Sequence, residues 1–128
     1  MGYESRFYFV RPYSHTKKGC EVIAVLNAGC LGHSPEVEKF LKLFNTPIDF
    51  SLYIPGSDDD PEKCYRTKDC YGEELKTGDA NELYRQIDYA IYAAEQQTGD
   101  QYWRYYLLRD MLLSFRIFND VKVIHYGY

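Results

Sequence analysis

Residues 3–28 read YESRFYFVRPYSHTKKGCEVIAVLNA and carry two strand signals around one turn. Phe7, Tyr8, Phe9 and Val10 fall in the first segment, where aromatic and β-branched side chains suit a pleated strand. Pro12 closes that strand, and Ser14-His15-Thr16-Lys17-Lys18-Gly19 is a polar turn. Residues 20–28 form a second strand, apolar enough to be expected at the centre of a sheet. The chain therefore opens with a β-hairpin.

Helical signals follow. Ser34 is a predicted N-cap, with Pro35 at the first helical position and Glu36 and Glu38 in the first turn. Val37, Phe40, Leu41 and Phe44 recur at helical spacing over 35–44, and Asn45 and Pro47 close that helix. Residues 48–54 alternate Ile48, Phe50, Leu52 and Ile54 against Asp49, Ser51 and Tyr53, the pattern of a half-buried strand. Residues 55–61 make an exposed acidic loop, and the polar stretch 62–78 has room for one or two short strands. Asp79 and Glu82 have capping-box spacing ahead of the stripe Leu83, Ile87, Ala90, Ile91 and Ala94. Thr98-Gly99 ends that helix, and Asp100 caps another with the stripe Tyr105, Leu108, Met111, Leu112 and Phe115. So short a break predicts a helical hairpin. A last strand alternates Val121, Val123 and His125 with Lys122, Ile124 and Tyr126. The order ββαβ(β)ααβ predicts one α+β domain over 1–128. It is a two-layer domain, with a mainly antiparallel sheet packed against a helical hairpin and one short helix.

The chain has 128 residues and a net charge of −4, which argues against tracking phosphates with a basic face. Arg6, Arg11, Lys17 and Lys18 read as a solvated strand edge. An acidic protein instead suits a basic partner. Tyrosine is the compositional outlier, with 14 residues. Its apolar body and polar tip serve both core edges and contact surfaces. No apolar run is long enough to span a bilayer, and the N-terminus lacks a signal region, so a cytoplasmic protein is expected. Arg6 stands where a myristoylation signal would want Ser or Thr.

Four cysteines, Cys20, Cys30, Cys64 and Cys70, admit two readings. One is four separate small buried hydrophobes. The other is a structural zinc held by four thiolates, with His15 or His33 able to replace one. The second gains force because Cys64 and Cys70 lie in a segment with little core of its own, where a metal adds order.

No catalytic constellation is visible. Cys30 and His33 share a loop without an evident third member, and His125 reads as a strand-face residue. Asp58-Asp59-Asp60 lack the alternate spacing and terminal Glu of a calcium loop. Phosphate-binding glycine motifs are absent. A non-catalytic binding protein is therefore expected. Its contact residues would be Asp58, Asp59, Asp60, Glu73 and Glu74 as an acidic patch, with Tyr102, Tyr106 and Arg109 as anchors of the type that dominates interfaces. Trp103 is expected to be buried, and Tyr102 and Tyr106 could also build a homodimer.

The segments MGYESRFYFV, EVIAV, Cys70-Tyr71-Gly72-Glu73 and VIHYGY resemble small proteins carried by phages and mobile elements of Firmicutes. Within that setting the chain is similar to type II-A anti-CRISPR proteins. The resemblance implies a protein that binds Cas9 and blocks DNA loading or cleavage, in some members with a stabilising metal. The alternatives are an accessory protein that binds another host factor, and a small hydrolase.

Overall fold

The computed structural model describes residues 4–13, 19–31, 34–96 and 102–127, with the side chain of Tyr102 outside that description. Its strands are β1 (Ser5–Pro12), β2 (Cys20–Gly29), β3 (Thr46–Pro47), β4 (Leu52–Tyr53), β5 (Tyr65–Arg66), β6 (Lys76–Gly78) and β7 (Lys122–Gly127). Its helices are α1 (Pro35–Leu41), α2 (Ala80–Glu95) and α3 (Tyr102–Phe115). Five strands form an antiparallel sheet in the order β2-β1-β7-β6-β3, and β4 and β5 form a separate hairpin. This is the expected α+β domain.

Side-chain alternation makes the sheet two-sided. Phe7, Phe9 and Val123 point to one face and pack on Val37 and Phe40 of α1, the Leu83–Ala94 stripe of α2, and Tyr105, Leu108 and Leu112 of α3. Tyr8, Val10, Ile124 and Tyr126 point to the other face, where Phe50, Leu52, Ile54 and Leu75 cover them. Residues 48–75 thus add partial cover beyond the two expected layers. The helix starts behave as their sequences require. Ser34 Oγ accepts from Val37 N at 3.2 Å, and Asp79 accepts from Asn81 N at 2.8 Å, so both caps satisfy N–H groups that lack an intrahelical partner. The expected turn residues 14–18 and the Asp100 cap lie outside the described residues.

Three expectations need correction. β2 is not central; it is the outermost strand, paired only with β1 among the described residues. An apolar run reports burial but not which neighbour supplies it. Here α3 and β1 do so from one face and one side. The strand expected over 48–54 is split. Pro47 pairs with Lys76 at the sheet edge, the chain bends at 50, and Leu52–Tyr53 pairs with β5 instead. Its apolar face still reads correctly, because Phe50, Leu52 and Ile54 are buried together. Trp103, expected inside, is 48% exposed, and Tyr105 takes the buried place with its hydroxyl donating to Leu31 O at 2.7 Å.

His125 sits between the rings of Phe7 and Phe44, at centroid distances of 5.3 and 5.8 Å, and shares a 2.8 Å hydrogen bond with Ser5 Oγ. Burial pushes its imidazole down to about 4 from an ordinary 6.5, and the Asp69 carboxylate offsets part of that fall. The unfolded chain therefore takes up a proton between those values that the native state refuses. Stability from this source is complete above pH 6.5 and is lost as pH falls toward 4. A gap of this size is worth about 3 kcal/mol. Denaturant unfolding of the wild type and His125→Phe at several pH values across this window should show a steeper acid loss in the wild type. Parallel curves would refute the assignment.

Candidate protein-binding face

β4 and β5 meet through the cross-strand pair Tyr53 and Tyr65, whose ring centroids lie 4.8 Å apart. Their partners Leu52 and Arg66 occupy the other side, and Leu52 is fully buried against the sheet. The hairpin covers the β1 and β7 part of the sheet and stops short of β2. The space left is a groove of about 560 Å³, lined mainly by Tyr8, Tyr13, Val22, Val25, Tyr53 and Tyr65. Its size is that of a ligand or side-chain recess. Tyr65 is 53% exposed and Tyr13 51%, so large amphipathic rings stand at its mouth.

Pro55 also lines the groove, and the acidic loop begins directly after it. That loop is built rather than merely solvated. Asp58 Oδ1 accepts from Asp60 N at 2.9 Å, and Asp60 Oδ1 accepts from Glu62 N at 3.0 Å, capping a 3-10 turn at Pro61–Cys64. The buried Cys64 thiol donates to Asp58 O at 3.4 Å and pins the loop from below. Asp58 and Asp60 are therefore partly structural. Asp59 and Glu62 are exposed, and among the described residues no ion pair involves any of these four carboxylates. Glu73 and Glu74 are exposed in the turn that Asp69 holds by accepting from Tyr71 N and Glu73 N.

The expected patch does not form as one surface. The acidic residues belong to the 48–75 segment on one face of the sheet, whereas α3 packs on the other. Tyr106 and Arg109 are also engaged. The Tyr106 hydroxyl donates to Glu95, and Arg109 lies over the Tyr106 ring at 4.8 Å and pairs with Asp88 at 3.2 Å. Both residues join α3 to α2. Sequence periodicity placed them on the helix surface but could not show that α2 meets them there. It missed Val22, Val25, Tyr53 and Tyr65, because a groove between a strand and a distant hairpin leaves no local signal.

The cysteines are also dispersed. Cys20 and Cys30 flank the ten-residue β2, which at about 3.3 Å per residue holds them roughly 30 Å apart. One tetrahedral zinc, with bonds of about 2.3 Å to sulfur, cannot take both. Cys20 donates to Ser51 O, Cys64 to the acidic loop, and Cys70 lies 3.0 Å from the Tyr126 hydroxyl. The four-thiolate set thus does not fit the fold. Among the described residues no group of three His, Cys, Asp or Glu converges on a point, and His15 and His33 lie outside them.

Ser5 and His125 are a nucleophile and a base within bonding distance, the pairing a hydrolase would use. Ser5 is only 1% exposed, between Gly29 and Gly127 of the flanking strands, so no electrophile can approach its oxygen. The pair satisfies the buried Ser5 hydroxyl and the half-buried imidazole. No helix among the described residues is long and apolar enough to cross a membrane. No protein-family model, curated protein or solved structure matches the chain.

Thiol chemistry checks the dispersed arrangement. Burial raises the Cys20 thiol to about 11, Cys64 is 2% exposed, and Cys70 is exposed. With a chromogenic disulfide reagent at about pH 8, where only ionised thiols attack, Cys70 should react well ahead of Cys20 and Cys64. Equal protection of all four cysteines, released together by a chelator, would restore the zinc reading.

Proposed function

We propose that this is a non-catalytic binding protein whose contact face is the tyrosine-lined groove with the acidic loop at its rim. Its partner would be a basic protein surface of the kind that holds nucleic acid. The groove next to carboxylates that form no ion pair among the described residues carries the reading. Exposed tyrosines supply contact area at low entropic cost, and the Asp59 and Glu62 charges steer a basic surface toward them. The net charge of −4 favours the same encounter at longer range. A protein that occupies such a surface competes with nucleic acid without performing chemistry.

The resemblance to type II-A anti-CRISPR proteins makes guide-loaded Cas9, in the bacterial cytoplasm, the partner proposed here. Cas9 holds its heteroduplex in a positively charged channel, which suits an acidic occluder. The decisive assay is DNA cleavage with the protein added before or after target DNA. Inhibition should saturate near equimolar protein and disappear when DNA is added first. Asp59→Lys with Glu62→Lys should slow association at low salt about tenfold or more, and Tyr65→Ala should cost about 1–2 kcal/mol in affinity. Absence of both inhibition and a complex with several Cas9 orthologues would remove Cas9 as partner. Full inhibition by the charge-reversed and Tyr65 variants would remove this face.

A further inference from the structure

The chain places its own arginines on aromatic rings. Arg6 lies over Tyr126 at 5.9 Å, Arg104 over Trp103 at 5.0 Å, Arg109 over Tyr106 at 4.8 Å and Arg116 over Tyr84 at 4.4 Å. The ring quadrupole attracts a guanidinium at such distances. At Arg109 a carboxylate completes the arrangement, because Asp88 pairs with the same guanidinium at 3.2 Å.

The groove has the same two components and lacks the cation. Tyr53 and Tyr65 stand 4.8 Å apart with their rings tilted by 51°, and among the described residues no arginine or lysine lies over either. Tyr13 adds a third exposed ring. Among the described residues, those lining the groove are all uncharged. Arg6, which donates to the Tyr8 hydroxyl at 3.0 Å, does not line it. The carboxylates stand just beyond the rings. Ile54 N donates to Cys64 O at 2.9 Å and closes the base of the acidic loop beside the tyrosine pair. Between those two residues lie Asp58, Asp59, Asp60 and Glu62, against the single cation Lys63. Glu62 is three residues from Tyr65. Their Cα atoms are therefore at most about 11 Å apart, close to one Debye length at about 0.1 M salt.

We infer that the groove is an arginine site. It takes an arginine side chain of the partner, stacked on Tyr53 and Tyr65 with its charge toward Asp59 and Glu62. This rests on the groove being the contact face proposed above, and names the group that it grips. A guanidinium is planar and weakly hydrated, so it gives up water to an apolar wall more readily than the compact ammonium of lysine does. It can also stack and pair with a carboxylate in one pose, as Arg109 does with Tyr106 and Asp88. An apolar side chain would fill the groove and leave the carboxylates without a role. A phosphate or an acidic peptide would meet like charge at the rim.

NMR titration of the full chain with N-acetyl-arginine methylamide tests this without any partner protein. Carried to tens of millimolar, the titration registers even millimolar affinities. The ring and amide signals of Tyr53 and Tyr65 should move, and the lysine analogue should bind about threefold or more weaker. The citrulline analogue keeps the flat head but loses the charge, and should bind about tenfold or more weaker. Tyr65→Ala changes an exposed side chain and should lower arginine binding about tenfold, whereas Tyr65→Phe keeps the ring and should leave it unchanged. Asp59→Asn with Glu62→Gln should weaken binding and reduce its salt dependence. Arginine that leaves the Tyr53 and Tyr65 signals in place, or citrulline or norleucine analogues that bind as well as arginine, would overturn the inference. A Tyr65-dependent block of Cas9 without arginine preference would remove only the arginine site, and arginine binding without a Cas9 complex would remove only that partner.

Discussion

β1 buries both of its faces at once, with Phe7 and Phe9 turned to the helices and Tyr8 and Val10 turned to residues 48–75. A strand covered on both faces needs apolar side chains in succession, and the run Phe7-Tyr8-Phe9-Val10 supplies them. The first cover is regular, a layer of three helices. The second is irregular, and its few large side chains, Phe50, Leu52, Ile54 and Leu75, are those that reach β1 and β7. Removing one such buried large residue typically costs 2–5 kcal/mol. A small domain has little to spare. The polar composition of 62–78 is therefore compatible with order without any metal, since its anchors lie at the ends of the segment and at Cys64.

The same arrangement explains why the surfaces differ. The 48–75 segment is too short in regular structure to cover β2 as well, so it leaves a recess walled by the tyrosines of its own hairpin. Its loop tip concentrates carboxylates at the rim of that recess. On the opposite side of the sheet, α3 packs between α2 and β2 among the described residues. One surface is acidic and aromatic, which repels its own copy and attracts a basic surface.

The helices were legible because their signals are local. Ser34 and Asp79 cap where they stand, and the α2 stripe Leu83, Ile87, Ala90, Ile91 and Ala94 is buried in full. The alternation of β7 was legible for the same reason. The strand order was not. The sequence of β2 shows an apolar strand, but its place at the edge depends on which strands lie beside β1, and in the case of β7 the partners run from Val10 with Lys122 to Ser5 with Gly127, at opposite ends of the chain. Tyr106 and Arg109 have the chemistry of contact residues, and their engagement with Glu95 and Asp88 depends on how α2 and α3 meet. The candidate face was half visible. The carboxylates of 58–60 could be read directly, whereas the groove beside them needs Val22, Val25, Tyr53 and Tyr65 brought together from two segments. The four cysteines misled for the reverse reason, because ligand chemistry carries no information about the 30 Å or so that a ten-residue strand places between two of them.

The most direct measurement of the central claim is native-state amide exchange resolved by residue. With both faces covered, the amides of β1 and β7 bonded to each other should exchange slowest in the protein, at or near the rate set by global unfolding. Residues 52–66 should open earlier than the sheet they cover. β1 amides that exchange as fast as those of the β4–β5 hairpin would contradict the account, because the strand would then not be the doubly buried element on which the rest depends.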